Sequence, residues 1–176
     1  MSWKHYQLPF YNCQLTLVNI ETSIQINAPA EIVFDLSRSI NMHMISTSKT
    51  NERAIAGVTT GLIKKDETVT WEARHLFKTR YFQTLITAME PYQYFRDEMV
   101  KGDFKTFYHE HFFRSNENGT LMTDKLCMEA PYGLIGRIVN RLFLAGYIKR
   151  FLTERNKMIK QYAENGEWKK ILNNND

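Results

Sequence analysis

Apolar residues recur at every third or fourth position in the last third of the chain. This spacing predicts one long amphipathic helix over residues 131–165, with its apolar side chains on a single stripe. About 32 residues of helix extend for about 48 Å at about 1.5 Å per residue, so the helix needs a large partner that covers the stripe. The stripe comprises Leu134, Ile135, Ile138, Val139, Leu142, Ala145, Ile148, Leu152, Ile159 and Tyr162.

The region before this helix has the alternating pattern of β-strands separated by short turns. Because the gaps are of hairpin size, we expect successive strands to pair antiparallel as a meander. The simplest arrangement is a curved antiparallel sheet that wraps around the long helix and leaves a cavity between the two. The predicted strands are 68–77, 80–89, 94–101, 105–114 and 120–130.

Shorter elements precede the meander. Residues 22–27 alternate as a first strand, and Pro29 with Glu31 marks the start of a short helix, since proline suits the first helical position and an acid suits the first turn. Residues 41–53 indicate a further irregular helical turn and a connection. We therefore expect one α+β domain, flanked by an N-terminal extension and a frayed C-terminal tail, with bounds 22–165, 1–21 and 166–176 respectively.

Alternate residues of a strand share a face, so parity identifies the side chains that point toward the helix. Three of the five histidines fall on this face together with an aspartate: His75, His109, His111 and Asp124. The turn between the last two strands decides how they pair. A turn at 117–118 places His111 opposite Asp124, whereas a turn at 118–119 places Asp124 opposite Phe113 and His111 on the diagonal.

A second pair comes from the preceding hairpin, where a three-residue connection through 102–104 places Asp97 opposite His109. Two Asp-His pairs in one cavity have four interpretations. They are a hydrogen-bonded core, a polar floor that orients one end of a ligand, a metal site of His109 and His111 with His75 and Asp124, or general acid-base catalysis by an Asp-oriented histidine. We favour the first two, and we predict no metal and no cofactor.

Composition narrows the functional classes. No segment reaches the roughly 18 uninterrupted apolar residues of a membrane span. Lys4, His5 and Gln7 interrupt the N-terminus where a signal-peptide core would lie, so we expect a cytoplasmic protein. Cys13 and Cys127 lack metal-ligand spacing. The net charge of +4 does not imply nucleic-acid binding, and the sequence leaves the oligomeric state open.

Positive charge is concentrated on the predicted long helix, where seven basic residues and one acid, Glu154, lie between positions 134 and 160. A basic amphipathic helix can dock on anionic membranes or nucleic acid. We favour an ordinary solvated face whose cations suit the helix dipole, and we keep an interaction module with weak contact to anionic surfaces as an alternative. The basic residues are Arg137, Arg141, Lys149, Arg150, Arg155, Lys157 and Lys160.

The order of strand, short helix, meander and long helix resembles the START-like or Bet v 1-like superfamily, which contains polyketide cyclases and lipid-transport proteins. The sequence is most similar to a bacterial ligand-binding branch labelled cell-division-inhibitor-like. The resemblance implies a helix-grip fold, in which about seven strands curl around the C-terminal helix and enclose an apolar pocket. The matching segments are 26–35 (INAPAEIVFD), 68–75 (TVTWEARH), 95–98 (FRDE), 102–104 (GDF), 109–111 (HEH) and 119–124 (GTLMTD).

The leading functional hypothesis is a binding, transport or sensing protein for a small apolar ligand, lipid-like or polycyclic, and not an enzyme. Gly146 is expected to give such a ligand room within the helix. The alternative is a cyclase, dehydratase or hydrolase that uses His109, His111 and Asp124. The predicted ligand-binding residues are Trp71, His75, Phe82, Ile86, Phe95, Asp97, Phe107, His109, His111, Phe113, Met122, Asp124, Met128, Ile138, Leu142 and Ala145.

Overall fold

A computed structural model describes residues 18–75, 78–129 and 144–173 of the chain. Within these residues, seven strands and four α-helices follow in the order β1, α1, α2, β2 to β7, α3, α4. The strands are β1 Val18–Ile26, β2 Arg53–Gly57, β3 Thr68–His75, β4 Lys78–Glu90, β5 Tyr94–Lys101, β6 Thr106–Asn116 and β7 Gly119–Glu129. The helices are α1 Ala30–Arg38, α2 Ile40–Ser46, α3 Ala145–Glu164 and α4 Trp168–Leu172.

All seven strands form one antiparallel sheet in the order β1-β7-β6-β5-β4-β3-β2. The five strands predicted from the alternating pattern are present, and β5 has the predicted bounds. Strand β1 pairs with β7, so the first strand lies beside the last one. This is the helix-grip α+β fold that the sequence predicted, with α3 packed against β1, α1 and α2.

Three elements differ from the expectation. Strand β1 begins four positions before the predicted start, and β2, which was not predicted, pairs with β3 at the edge of the sheet. Helix α4 occupies the segment that was expected to be a frayed tail. It forms because Trp168, Ile171 and Leu172 pack against the core. The first part of the predicted long helix lies outside the described residues.

The short helices are fixed by local signals. Pro29 caps α1 and its carbonyl accepts from Ile32 N and Val33 N. The Ser39 hydroxyl caps α2 by accepting from Met42 N at 3.2 Å. Both helices bury one apolar face, and Phe34 of α1 packs edge-on against Phe95 and Phe113 of the sheet.

The β6-β7 hairpin sets the register of the site. Asn116 pairs with Gly119, so the two-residue turn is at 117–118. Gly119 has φ +104°, and a Cβ there would lie 2.3 Å from Ile26 O of β1. Glycine is therefore required where β7 leaves the turn. The observed register is the first of the two predicted, with His111 opposite Asp124.

Candidate functional site

A cavity of about 550 Å³ lies between the sheet, the two short helices and α3. Members of the core lie at its wall, including Ile40, Val69, Ile86, Leu126 and Leu152. Its size falls within the roughly 300 to 1,000 Å³ of small-molecule sites. The wall is mostly apolar, but two regions of it carry buried ionisable side chains.

Half of the sixteen predicted ligand-binding residues line this cavity. All eight are on the sheet, and strand alternation places them on the side that faces α3, as parity predicted. They are Trp71, Phe82, Ile86, Phe95, Asp97, Phe107, His109 and His111.

Five predicted residues are described but do not line the cavity. Phe113 packs against Phe34 with ring centroids 5.3 Å apart, and Met122 is fully buried under the Ser37 hydroxyl. Met128 is buried beside Ile20, so the core uses these side chains for packing. Asp124 is fully buried behind the histidines, and Ala145 is only half-buried on α3. These five predictions are corrected because strand parity assigns a side chain to a face of the sheet but does not show whether neighbouring side chains separate it from the cavity.

Three further predicted residues have no described side chain. Ile138 and Leu142 lie outside the described residues, and His75 is described only as the last residue of β3. Gly146 is exposed, and a Cβ built on it has no heavy atom within 4 Å. The expectation that Gly146 gives a ligand room is therefore wrong, because the residue faces away from the cavity.

The two predicted Asp-His pairs meet in one cluster. Asp97 pairs with His109 across β5 and β6, and His111 pairs with Asp124 across β6 and β7, as the strand registers predicted. The closest side-chain contacts are partly diagonal. His111 Nε2 donates to Asp97 Oδ2 at 3.2 Å, and His111 Nδ1 lies 2.6 Å from Asp124 Oδ1. His109 Nε2 lies 3.3 Å from the same Oδ1.

Helix α3 completes the cluster with two neighbouring polar residues. Asn156 Nδ2 donates to Asp124 Oδ2 at 2.5 Å. Arg155 Nη2 donates to the Ser37 carbonyl at 3.0 Å, and the residue, which lines the cavity, is only 4% exposed. Arg155 was expected on a solvated basic face, so that expectation is wrong for this residue. Lys149, Arg150 and Lys157 are exposed, as expected.

The surroundings shift the pKa values of the two histidines in opposite directions. Burial alone lowers the pKa of His111, but the charges of Asp124 and Asp97 outweigh it, so the pKa of His111 is raised. Burial and the neighbouring positive charge of His111 lower the pKa of His109. The same contacts hold the pKa of Asp124 well below its usual value, against the effect of burial, and lower that of Asp97. The cluster therefore favours two ionised carboxylates, the protonated form of His111 and the neutral form of His109.

A second polar pair lines another part of the cavity. His43 Nε2 lies 2.6 Å from Glu52 Oε2, and the His43 ring stacks on Trp71 with centroids 4.0 Å apart. The sequence reasoning missed this pair because it treated 41–53 as a connection. It also missed Arg155 and Asn156, although helical spacing could have found them, since both lie between the apolar positions Leu152 and Ile159 on the buried stripe.

Solved structures share this architecture. A START superfamily protein from Mycobacterium smegmatis has a TM-score of 0.63 and 14% identity over 82% of this chain and 96% of that chain. Ginseng major latex-like protein 151 from Panax ginseng has a TM-score of 0.63 and 13% identity over 84% and 98%. The di-domain ARO/CYC StfQ from the steffimycin biosynthetic pathway has a TM-score of 0.63 and 8% identity over 84% and 51%.

At these identities the likeness establishes the fold. The chain has the helix-grip fold of START and Bet v 1-like proteins, as the sequence resemblance implied. The cell-division-inhibitor-like branch is not confirmed. No protein-family model and no curated protein matches the sequence. Among the described residues, no helix is both long enough and apolar enough to span a membrane.

Proposed function

We propose that the chain binds a small, largely apolar molecule, lipid-like or polycyclic, in the cavity between the sheet and α3. The observation that carries this proposal is a largely apolar cavity of about 550 Å³ in which Asp97, His109 and His111 form a buried polar cluster on the sheet. An apolar wall supplies affinity in proportion to the area removed from water, and a few fixed polar groups orient the ligand. The apolar end of the ligand then contacts Trp71, Phe82 and Phe107, and its polar end contacts the cluster of aspartates and histidines.

The polar end has defined partners. Asp97 and His111 lie at the cavity wall, and Asp124 contacts His111 from behind. Arg155 also reaches the wall, and its guanidinium makes no ion pair within 4 Å with a carboxylate of the described residues. A ligand hydroxyl, carbonyl or carboxylate finds both donors and acceptors here.

Trp71 provides a direct test because it lines the cavity and is 4% exposed. Trp3→Phe and Trp168→Phe leave it as the single tryptophan. Native mass spectrometry of freshly purified protein first identifies any retained molecule. A panel of fatty acids and polycyclic aromatics is then titrated against Trp71 fluorescence, and we expect saturable quenching by at least one compound.

Adjacent residues of α3 supply a matched pair of variants. Ile148→Phe fills space at the cavity wall, whereas Lys149→Phe adds the same ring at the exposed neighbouring position. Overpacking by a ring costs about 1 to 3 kcal/mol, so we expect Ile148→Phe to weaken ligand binding about tenfold or more and Lys149→Phe to leave it unchanged. Equal affinities in both folded variants, or no binding across the whole panel, would refute the proposal.

An enzyme is the second candidate, supported by the position of His109. Its imidazole lies at the cavity wall with Nε2 3.3 Å from Asp124 Oδ1, an arrangement that can move a proton on an enclosed ketone or ester. His109→Ala and His111→Ala are expected to abolish turnover of a bound compound while binding remains. Unchanged compound after long incubation with the wild-type protein would exclude this candidate.

A further inference from the structure

Asp97, His109 and His111 each present one potential ligand atom at the cavity wall, and these three atoms lie within 4.8 Å of one another. Two imidazole nitrogens and a carboxylate are the set that non-haem iron and catalytic zinc sites use, with the remaining positions open to a substrate or water. The set differs from the one considered from spacing alone, because Asp97 belongs to it and Asp124 lies behind it.

The distances are compatible with one ion. Bonds from zinc to nitrogen or oxygen are about 2.0 to 2.2 Å, so two atoms on the same ion are at most about 4.2 Å apart. Asp97 Oδ2 and His111 Nε2 already satisfy this limit at 3.2 Å. His109 precedes His111 on the same face of β6, with ring centroids 3.9 Å apart. A side-chain shift of under about 1 Å brings the third atom within bonding range.

The surroundings supply the support that metal-binding histidines need. Such a histidine usually directs its second ring nitrogen at a carboxylate, which fixes the ring and raises its basicity. His111 Nδ1 lies 2.6 Å from Asp124 Oδ1, and Asn156 fixes the other oxygen of Asp124. His111 Nε2 then faces Asp97 Oδ2 at 3.2 Å.

The cluster is also incompletely satisfied in its present arrangement. His109 Nε2 is buried, and its 3.3 Å contact with Asp124 Oδ1 is not a well-directed hydrogen bond. Buried polar atoms rarely stay in this condition. Arg155 is the one other charged group that faces the cluster from α3, and its Nη2 is turned to the Ser37 carbonyl.

We propose that Asp97, His109 and His111 bind one divalent transition-metal ion of the zinc or ferrous-iron class, with Asp124 orienting His111. The Nε2 proton of His111 passes to solvent as the ion binds, and Nδ1–H stays directed at Asp124. The open side of the ion faces the cavity. On the basis of the proposed function, a ligand oxygen would complete the coordination there, but metal binding itself does not depend on that ligand.

The test uses full-length protein purified without a histidine tag. The metal content is measured by elemental analysis, and protein stripped with a chelator is then titrated with Co²⁺ by absorption spectroscopy and with Zn²⁺ by calorimetry. We expect saturation at one ion per chain. His109→Ala and Asp97→Ala should each lower the affinity by at least about a hundredfold, and Asp124→Asn by about ten- to a hundredfold.

His43→Gln is the matched control, since it removes a histidine that pairs with a carboxylate in the same cavity but belongs to no cluster of three metal-ligand side chains among the described residues. It should keep wild-type affinity for Co²⁺. His109→Gln is a second variant if His109→Ala fails to fold. The metal site would be overturned if the folded wild-type protein showed no saturable Co²⁺ binding. It would also be overturned if the His109 and Asp97 variants bound Co²⁺ with wild-type affinity. The fluorescence titration with the ligand panel is repeated on the metal-free protein. It tests ligand binding independently of the metal, so the two proposals can fail separately.

Discussion

The carboxylate of Asp124 should be one of the most sensitive positions of the protein to a change of charge. It is fully buried, and its oxygens contact His111, His109 and Asn156. Asp124→Asn keeps the size of the side chain but removes the negative charge, which leaves His111 with Asp97 as its remaining close carboxylate. Breaking a buried ion pair in this way costs about 3 to 5 kcal/mol.

That cost is a large part of the roughly 5 to 15 kcal/mol by which domains are stable. The assay is urea unfolding at neutral pH in the presence of a chelator, so that no bound ion contributes to the free energy of unfolding. With a denaturant dependence of about 2 kcal/mol/M, a loss of about 4 kcal/mol moves the midpoint by about 2 M.

Asp103→Asn is the matched control. Asp103 accepts from Arg80 at 2.8 Å, but the two side chains are 56% and 43% exposed. An exposed pair contributes about 0 to 1 kcal/mol, so this variant should unfold close to the wild type. A double-mutant cycle with His111→Gln then isolates the coupling of the buried pair. If Asp124→Asn costs under about 1 kcal/mol or no more than Asp103→Asn, the description of Asp124 as a buried ion-pair partner is refuted.

Three further predictions concern stability. Gly146→Ala should raise the free energy of unfolding by about 0.5 to 1 kcal/mol, because Gly146 lies in a helix and its side-chain position is open; an unchanged urea midpoint would contradict this. Because the pKa of His111 is raised on folding, its contribution to the free energy of unfolding is complete below the unfolded pKa of 6.5 and is lost as the pH rises through the folded pKa. The difference in stability between wild type and His111→Gln should therefore be larger at about pH 6 than at about pH 9. Equal differences at both pH values would show that His111 does not gain its proton on folding. Tyr94→Phe removes a 2.8 Å hydrogen bond donated to Glu110 and should cost about 1 kcal/mol, measured by thermal unfolding with Tyr92→Phe as the exposed control.

Most of the fold could be predicted because apolar residues repeat with two clear periods, every second residue in the strands and every third or fourth residue in the long helix. Alternation over β3 to β7 gave five strands, and hairpin-sized gaps gave their antiparallel order. Strand β2 was missed because it is short and lies at the edge of the sheet, where Arg53, Ile55 and Gly57 are exposed and no clear alternation remains. Helix α4 was missed because tertiary packing of Trp168 stabilises it more than its local sequence does.

The sequence identified the site residues on the strands much better than those on the helix. Period-two alternation placed Asp97, His109 and His111 on the inner face without any knowledge of distance. The turn could not be chosen from the pattern, because the two registers differ by two residues and keep the same side chains on the inner face. Arg155 was assigned to the surface by its charge, although its position on the stripe predicted burial.

Arg155 connects the cavity to the order in which the chain assembles. Its hydrogen bond to the Ser37 carbonyl joins residues 118 positions apart, while Asp124 and Asn156 are 32 apart. Contacts of such separation form only after long loops close. The cavity is therefore complete only in molecules in which α3 has docked. A compound that occupies the cavity favours the docked state over any state with α3 detached, so thermal shift can report occupancy before the chemistry of the ligand is known.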